Sequence, residues 1–290
     1  MKKSLKFIPF LIYLVLRFAY YLTSNSRHAR KITFDKLSKS KEFMMYSNRY
    51  NFLLFSRDYM ISRSTYVDGP YDFYILKKAL KLLPKKFVRE TFVDVGANIG
   101  TISIPAIKDG LFKKSIAFEP NSKIYNILKI NIFLNNLNKK ITPLDFCLSS
   151  KNYDNLSFKM SHTNYGDTRF IKNNKNNLFS KNKVKKLDSF IKLFNPHKTL
   201  IKIDVQGFEP EVLLGSKLLL SFKPPIILEV DPIIINNDNF MKMLNIIKKN
   251  YTIFFDLNET NPIKNNVNHL ENLFFKLKKS RKLSNILIIE

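Results

Sequence analysis

"VDVGANIGTIS", residues 93–103, decides how the chain is read. A β-branched run meets an acid, Asp94, and the chain then passes Gly96 and Gly100 before turning helical again. "TFVDVG" (91–96) is the first of a series of short apolar runs. The others are "SIAFEP" (115–120), "ITPLDFCLS" (141–149), "LIKIDV" (200–205), "PIILEV" (225–230), "YTIFFDL" (251–257) and "SNILIIE" (284–290). Helical stretches such as "SKIYNILKINIFLNN" (122–136) and "PEVLLGSKLLLS" (210–221) lie between them. Near-continuous apolar strands alternating with helices predict an α/β sheet covered on both faces.

In an open sheet of this kind the ligand lies outside the carboxyl ends of the strands, where the strand order reverses. The 96–100 loop should border that crevice. A dinucleotide fingerprint would read G-x-G-x-x-G, with glycines that let a pyrophosphate reach a helix N-terminus. Here the spacing is G-x-x-x-G, with Ala97-Asn98-Ile99 between, and Asp94 would repel a pyrophosphate. Both facts disfavour an NAD-dependent oxidoreductase. A cationic ligand with an amino group suits the carboxylate better, and S-adenosylmethionine carries a sulfonium, an ammonium and no phosphate. Glu119, closing "IAFEP" 19 residues after Gly100, is placed to accept both ribose hydroxyls. The cofactor-binding candidates are therefore Asp94, Gly96, Asn98, Gly100 and Glu119.

The chain resembles the FkbM-type S-adenosylmethionine-dependent methyltransferases of the Rossmann-like class I fold. "FVDVGANIGTIS" (92–103), "AFEPN" (117–121), "LKINIFLNN" (128–136), "VKKLDSF" (184–190), "IKIDVQGFEPEVLLGS" (201–216) and "IILEV" (226–230) carry the resemblance in the family's order. It implies a seven-stranded, mostly parallel sheet with helices on both faces and an antiparallel final strand. It also implies O-methyl transfer, often to sugars of surface glycans or to hydroxylated natural products. Residues 1–60 lie outside the recognisable match.

A sugar hydroxyl is a poor nucleophile while protonated, so a base or a metal should assist. Acids at strand ends facing the cofactor are the catalytic candidates: Asp204 first, Glu229 second, and Glu209 after the turn at Gln206-Gly207. A charged first helical turn accounts for Glu211 equally well. No metal ligand set is assigned, and a divalent cation stays open beside a plain base. Gln206 stands where many relatives carry Glu, which weakens a three-acid metal site. The Asn- and Lys-rich insertion 151–198 is the expected acceptor-recognition element, with Asn164, Asp167 and Arg169 as substrate-binding candidates and His162 as an alternative base.

The formal charge is +26 over 290 residues, yet the basic residues are overwhelmingly Lys, not the bidentate phosphate-gripping Arg. Specific nucleic-acid binding is therefore not expected. A nucleic-acid methyltransferase, or a non-catalytic membrane-associated protein of the same fold, remains the alternative. "FKPPII" lacks the Asn and aromatic of an amino-methylating loop, and Cys147 follows Phe146 rather than a proline. This single cysteine excludes an internal disulfide and a cysteine-rich zinc site. Residues 1–24 form a hydrophobic segment whose run from Phe7 to Leu22 is interrupted by Arg17. That suits a membrane-interface helix and a docked helix equally. The expected organisation is this segment, a helical extension over 25–85 and a methyltransferase domain over 86–290. The protein is expected in the cytoplasm or peripherally on the inner face of the membrane, acting on a hydroxylated small molecule or saccharide.

Overall fold

The computed structural model describes residues 12–15, 26–37, 39–152, 157–160, 168–171 and 183–290. Its centre is an eight-stranded sheet. In spatial order the strands are β13 (Asn265–Asn266), β12 (Ile253–Asp256), β14 (Ser284–Ile289), β11 (Ile226–Val230), β10 (Thr199–Ile203), β3 (Thr91–Val95), β4 (Lys114–Phe118) and β5 (Ile141–Leu144). The five strands from β11 to β5 run parallel, and β14 is antiparallel to both of its neighbours. This is the expected Rossmann-like sheet with one more strand than expected, the two-residue edge β13, too short to leave a hydrophobic signature. From β3 the chain moves outward through β4 and β5, then returns to β10 on the other side of β3. The strand order therefore reverses between β3 and β10, and a crevice forms beyond their carboxyl ends.

Alternation along these buried strands divides the core in two. Val93, Val95, Ile201, Ile203 and Leu228 pack on one face with Val212, Met243 and Phe274. Phe92, Leu200 and Ile227 pack on the other, with Ile104 and Leu128 and with the N-terminal residues Phe52, Leu54 and Ile75. Asp94, Lys202 and Glu229 each stand two residues after Phe92, Leu200 and Ile227, so all three share that second face near the strand ends.

The extension over 25–85 is not purely helical. Helices α1 (Arg27–Leu37), α2 (Ile61–Asp68) and α3 (Phe73–Leu82) are joined by a hairpin of β1 (Phe43–Ser47) and β2 (Asn51–Phe55). The hairpin docks on the helix Ser122–Leu134, where buried Asn131 accepts the Leu53 amide at 2.6 Å and donates to the Ile99 carbonyl at 2.9 Å. One side chain thus ties the hairpin to the glycine loop. The predicted strand 141–149 is two strands, because the chain leaves the sheet at Asp145 and β6 (Phe146–Leu148) pairs with β9 (Lys183–Lys185). Within the 151–198 insertion, Val184 and Leu187 are fully buried, so its end belongs to the core. Of the N-terminal hydrophobic segment only residues 12–15 are described, a helical turn with all four side chains exposed. Among the described residues no helix is long and apolar enough to cross a membrane.

Gly96 has φ +86°, and a Cβ there would lie 1.9 Å from the Asp204 carbonyl oxygen. A protein–protein approach between adjacent strand ends demands this glycine, whatever ligand binds above it. Gly110, at φ +69°, has nothing within 4 Å of the same position. Gly110→Ala should cost only the strain of left-handed backbone, about 1–2 kcal/mol. Gly96→Ala adds the collision with main chain, so thermal denaturation should show a clearly larger drop in Tm for it than for Gly110→Ala.

Candidate active site

Among the described residues, the cleft beyond β3 and β10 is lined by five acids, Asp72, Asp94, Glu119, Asp204 and Glu229, and by one cation, Lys202. Each acid of the sheet is held at the end of a strand. Asp94 on β3 is 1% exposed; its Oδ2 accepts the Ser103 hydroxyl at 2.6 Å, and its Oδ1 is buried without a partner. Burial raises its pKa. Glu119 follows β4 and is gripped by backbone: Oε2 accepts the Asn98 amide at 3.0 Å and Oε1 the Asn121 amide at 2.9 Å. Burial pushes its carboxyl up to about 7. Asn98 adopts φ +51° and turns its own Oδ1 onto the Ile99 amide at 2.8 Å, which shapes the loop. Gly100 is favoured by its backbone, at φ +91°; a Cβ would also press on the side-chain ends of Ile104 and Leu128 at 2.8 and 2.9 Å, which would have to move aside.

Across the crevice, Lys202 sits on β10 opposite Asp94 in register. It is 3% exposed and donates to Asp204 Oδ2 at 2.8 Å. Burial works against its charge, but the Asp204 and Asp94 carboxylates outweigh burial and raise its pKa. Sequence reasoning missed this residue. Its signal was present: a lysine alternating with Leu200 inside a strand buried on both faces has to meet carboxylates. Asp204 follows β10; burial would raise its carboxyl, but the Lys202 ammonium together with bonds from Gln206 and Glu229 lowers it overall. Glu229 on β11 is driven the other way, first by burial and then by Asp204 and Glu209. Asp204 is therefore the more acidic member of the pair and Glu229 the more readily protonated one. Gln206, at φ +55°, donates its amide to Asp204 Oδ1 at 3.2 Å and to Glu229 Oε2 at 3.1 Å.

Glu209 is not among the residues lining the cleft. It lies behind the turn, where Oε1 accepts the Val205 amide at 2.8 Å, Oε2 is buried without a partner and burial raises its carboxyl to about 7. One carboxylate oxygen from each of Asp204, Glu209 and Glu229 lies within 4.8 Å of the others, a set of hard ligands that could hold a divalent cation. The Gln206 amide and Lys202 ammonium already supply donors to that set. Asn164 and Asp167, and with them His162, fall outside the described residues; Arg169 is placed only as a backbone position on β8 (Thr168–Ile171), opposite Lys159. Tyr71 and Asp72, which line the cleft from the N-terminal extension, were not anticipated.

Removing Lys202 leaves buried Asp94 and half-buried Asp204 without their counter-charge. Lys202→Met should destabilise the protein by about 3–5 kcal/mol near neutral pH. The sign of its pH dependence follows. The carboxyl pKa values of the folded variant rise, so stability is lost as pH climbs through them, and the deficit shrinks in acid. Urea denaturation of both proteins near pH 5 and pH 7.5 checks this.

The family model described as the methyltransferase FkbM domain matches residues 94–256, from the first strand-end acid to the end of β12. No curated protein sequence matches the chain significantly. Among solved structures, the precorrin-6y C5,15-methyltransferase of Geobacter metallireducens GS-15 is similar at 11% identity and a TM-score of 0.39, over 74% of this chain and 87% of that one. TYW2 of M. jannaschii, in complex with AdoMet, shares 15% identity at a TM-score of 0.41, over 86% of this chain and 85% of that one. The B. subtilis M1A22 tRNA methyltransferase TrmK shares 12% at 0.40, over 74% and 64%. The family match spans more than half of the 290 residues and all four sheet acids lie within it. The chain belongs to the FkbM methyltransferase family and is an S-adenosylmethionine-dependent methyltransferase.

Proposed function

We propose that the chain methylates a hydroxyl group of a saccharide, in a glycan or glycolipid. The observation carrying this reading is the convergence of strand-end carboxylates on one cleft, with Asp94 and Glu119 on one side and the Asp204–Glu229 pair on the other. S-adenosylmethionine supplies an electrophilic methyl group on a sulfonium. Glu119 has one amide on each carboxylate oxygen and keeps a lone pair on each for the ribose hydroxyls. Asp94 Oδ1, buried and lacking a donor, suits the ammonium group. Gly96, Asn98 and Gly100 shape the loop that brings these acids together.

On the acceptor side, Asp204 takes a hydrogen bond from the incoming hydroxyl and so orients a lone pair towards the methyl group. The Lys202 ammonium, bonded to Asp204 Oδ2, lowers that carboxyl and so favours the ionised form needed for this task. As the carbon–oxygen bond forms, the sulfur–methyl bond breaks with its electron pair left on sulfur, S-adenosylhomocysteine departs as a neutral thioether, and the hydroxyl proton passes to the Asp204 carboxylate. Such a base contributes roughly 10²–10⁴ in rate.

The nature of the lining supports an uncharged polyol as acceptor. Among the described lining residues acids outnumber the one lysine, which disfavours the phosphates of a nucleic acid despite the basic surface. Hydroxyl donors, in contrast, suit a site rich in carboxylate acceptors.

Asp204→Asn should lower kcat by about 10²–10⁴ while leaving the S-adenosylmethionine Kd within a few-fold; unchanged kcat removes Asp204 from the chemistry. Ribose hydroxyls favour the ionised Glu119, so cofactor affinity should rise as pH climbs through about 7 and then level. Glu119→Gln should weaken binding and shrink this dependence. Calorimetric titration between about pH 5 and 8 measures both, and a flat wild-type profile contradicts the assignment.

A further inference from the structure

The acceptor candidates read from sequence sit on the 151–198 insertion, but the described wall of the cleft opposite the strand ends comes from the N-terminal extension. Tyr71 and Asp72 line the cleft, and both also line a second groove on the surface, which Tyr50, Tyr74 and Lys77 continue. Two residues therefore join the chemical centre to an outer groove.

Asp72 is built in an unusual way. It is a non-glycine residue at φ 57°, ψ 6°, a left-handed conformation that disfavours a β-carbon. It stands at the N-cap of α3, where aspartate ordinarily accepts helix amides, yet its side chain makes no capping bond. Among the described residues neither the Asp72 carboxylate nor the Tyr71 hydroxyl has a hydrogen-bond partner. Asp72 is also near enough to Lys202 and Asp204 to feel both charges. The backbone strain thus aims a carboxylate at the cleft and away from the helix it would otherwise cap. The neighbouring wall is fixed too: buried Asp58 accepts the amides of Met60 at 3.1 Å and Ser62 at 2.9 Å, setting Met60 and Ile61 along the cleft.

We propose that Tyr71 and Asp72 form an acceptor subsite for an oligosaccharide, whose reacting unit lies in the cleft and whose next unit lies in the outer groove. The inference rests on the proposed methyl transfer to a saccharide. Asp72 accepts hydroxyl hydrogen bonds and Tyr71 offers both a donor and an acceptor. Tyr74, 59% exposed, presents a ring with an apolar face along the outer groove, as sugar units require. The other charges of this groove are already engaged. Asp68 is bonded to Arg27, and Lys77 lies over the Phe73 ring at 4.5 Å. An uncharged chain fits this lining better than a polyanion.

The test transfers tritiated methyl groups from S-adenosylmethionine, with the full chain, to two probes: the saccharide fraction and the total RNA of the cells that make it. Labelled saccharide is expected from wild type. Tyr71→Phe and Asp72→Asn should raise the saccharide concentration for half-maximal labelling at least tenfold, with cofactor Kd within twofold. Asp72→Gly separates binding from folding. It relieves the left-handed strain, so Tm should hold or rise while saccharide labelling falls as in Asp72→Asn. If wild type labels saccharide and these variants match it, the subsite is overturned and the methyl transfer stands. If wild type labels RNA alone, or no saccharide, the proposed function falls and the subsite with it.

Discussion

The buried ion cluster of Lys202 with Asp204 and Asp94 governs the rest of the site. An unpaired ammonium in the interior costs several kcal/mol even after relaxation, so Lys202 is tolerable only with carboxylates against it. The parallel register places Lys202 opposite Asp94, and the 2.8 Å contact to Asp204 completes the neutralisation. That one cation sorts the acids into two kinds. Asp204 beside it is shifted towards the ionised form, while Glu229, buried and facing Asp204 and Glu209, is shifted towards the protonated form. A single sheet edge thereby carries two neighbouring carboxyls whose proton affinities are pushed apart, as in tuned carboxylate pairs.

The same sheet face that carries these groups is covered by the N-terminal extension, so the glycine loop and the Tyr71–Asp72 wall of the cleft are one packed body. Phe52, Leu54 and Ile75 share a core with Phe92, Leu200 and Ile227. Asn131 bonds simultaneously to Leu53 of the hairpin and to Ile99 of the glycine loop. A shift of the hairpin would therefore be felt at residues 96–100, because close-packed interiors transmit strain. This places the extension within the catalytic unit, although the family match begins only at Asp94.

What could be read from sequence was whatever depends on local pattern. The five central strands and the acids at strand tips follow from apolar runs that stop at Asp94, Glu119, Asp204 and Glu229, whereas the antiparallel last strand was implied by the family resemblance alone. Three things were not legible, each because it depends on distant partners. "NFLLF" (51–55) reads as a loop or helix fragment until its pairing with Phe43–Ser47 is known. Lys202 looks like an isolated charge until its register with Asp94 is known. Asp72 looks like an ordinary helix cap, and only its backbone conformation and uncapped side chain mark it out. The glycines were legible for a partly different reason than expected. Gly96 answers to the Asp204 carbonyl and Gly100 to its left-handed backbone, so sequence spacing reported chain geometry as much as ligand approach.

Charge is segregated in this protein, and the segregation bears on turnover. The whole chain carries +26, but exposed lysines are screened within a Debye length of about 8 Å, whereas carboxylates inside a cleft are not. The cleft therefore stays negative within a basic molecule, which favours a cationic cofactor and holds its uncharged thioether product less tightly. The same field opposes the chemistry, because it stabilises the sulfonium charge that disappears on transfer. The ammonium of Lys202 weakens that opposition, and so does the raised proton affinity of Glu229. Full ionisation of all the acids would bind the cofactor more tightly and react more slowly, so in the proposed mechanism the buried lysine serves turnover as much as the carboxylates do.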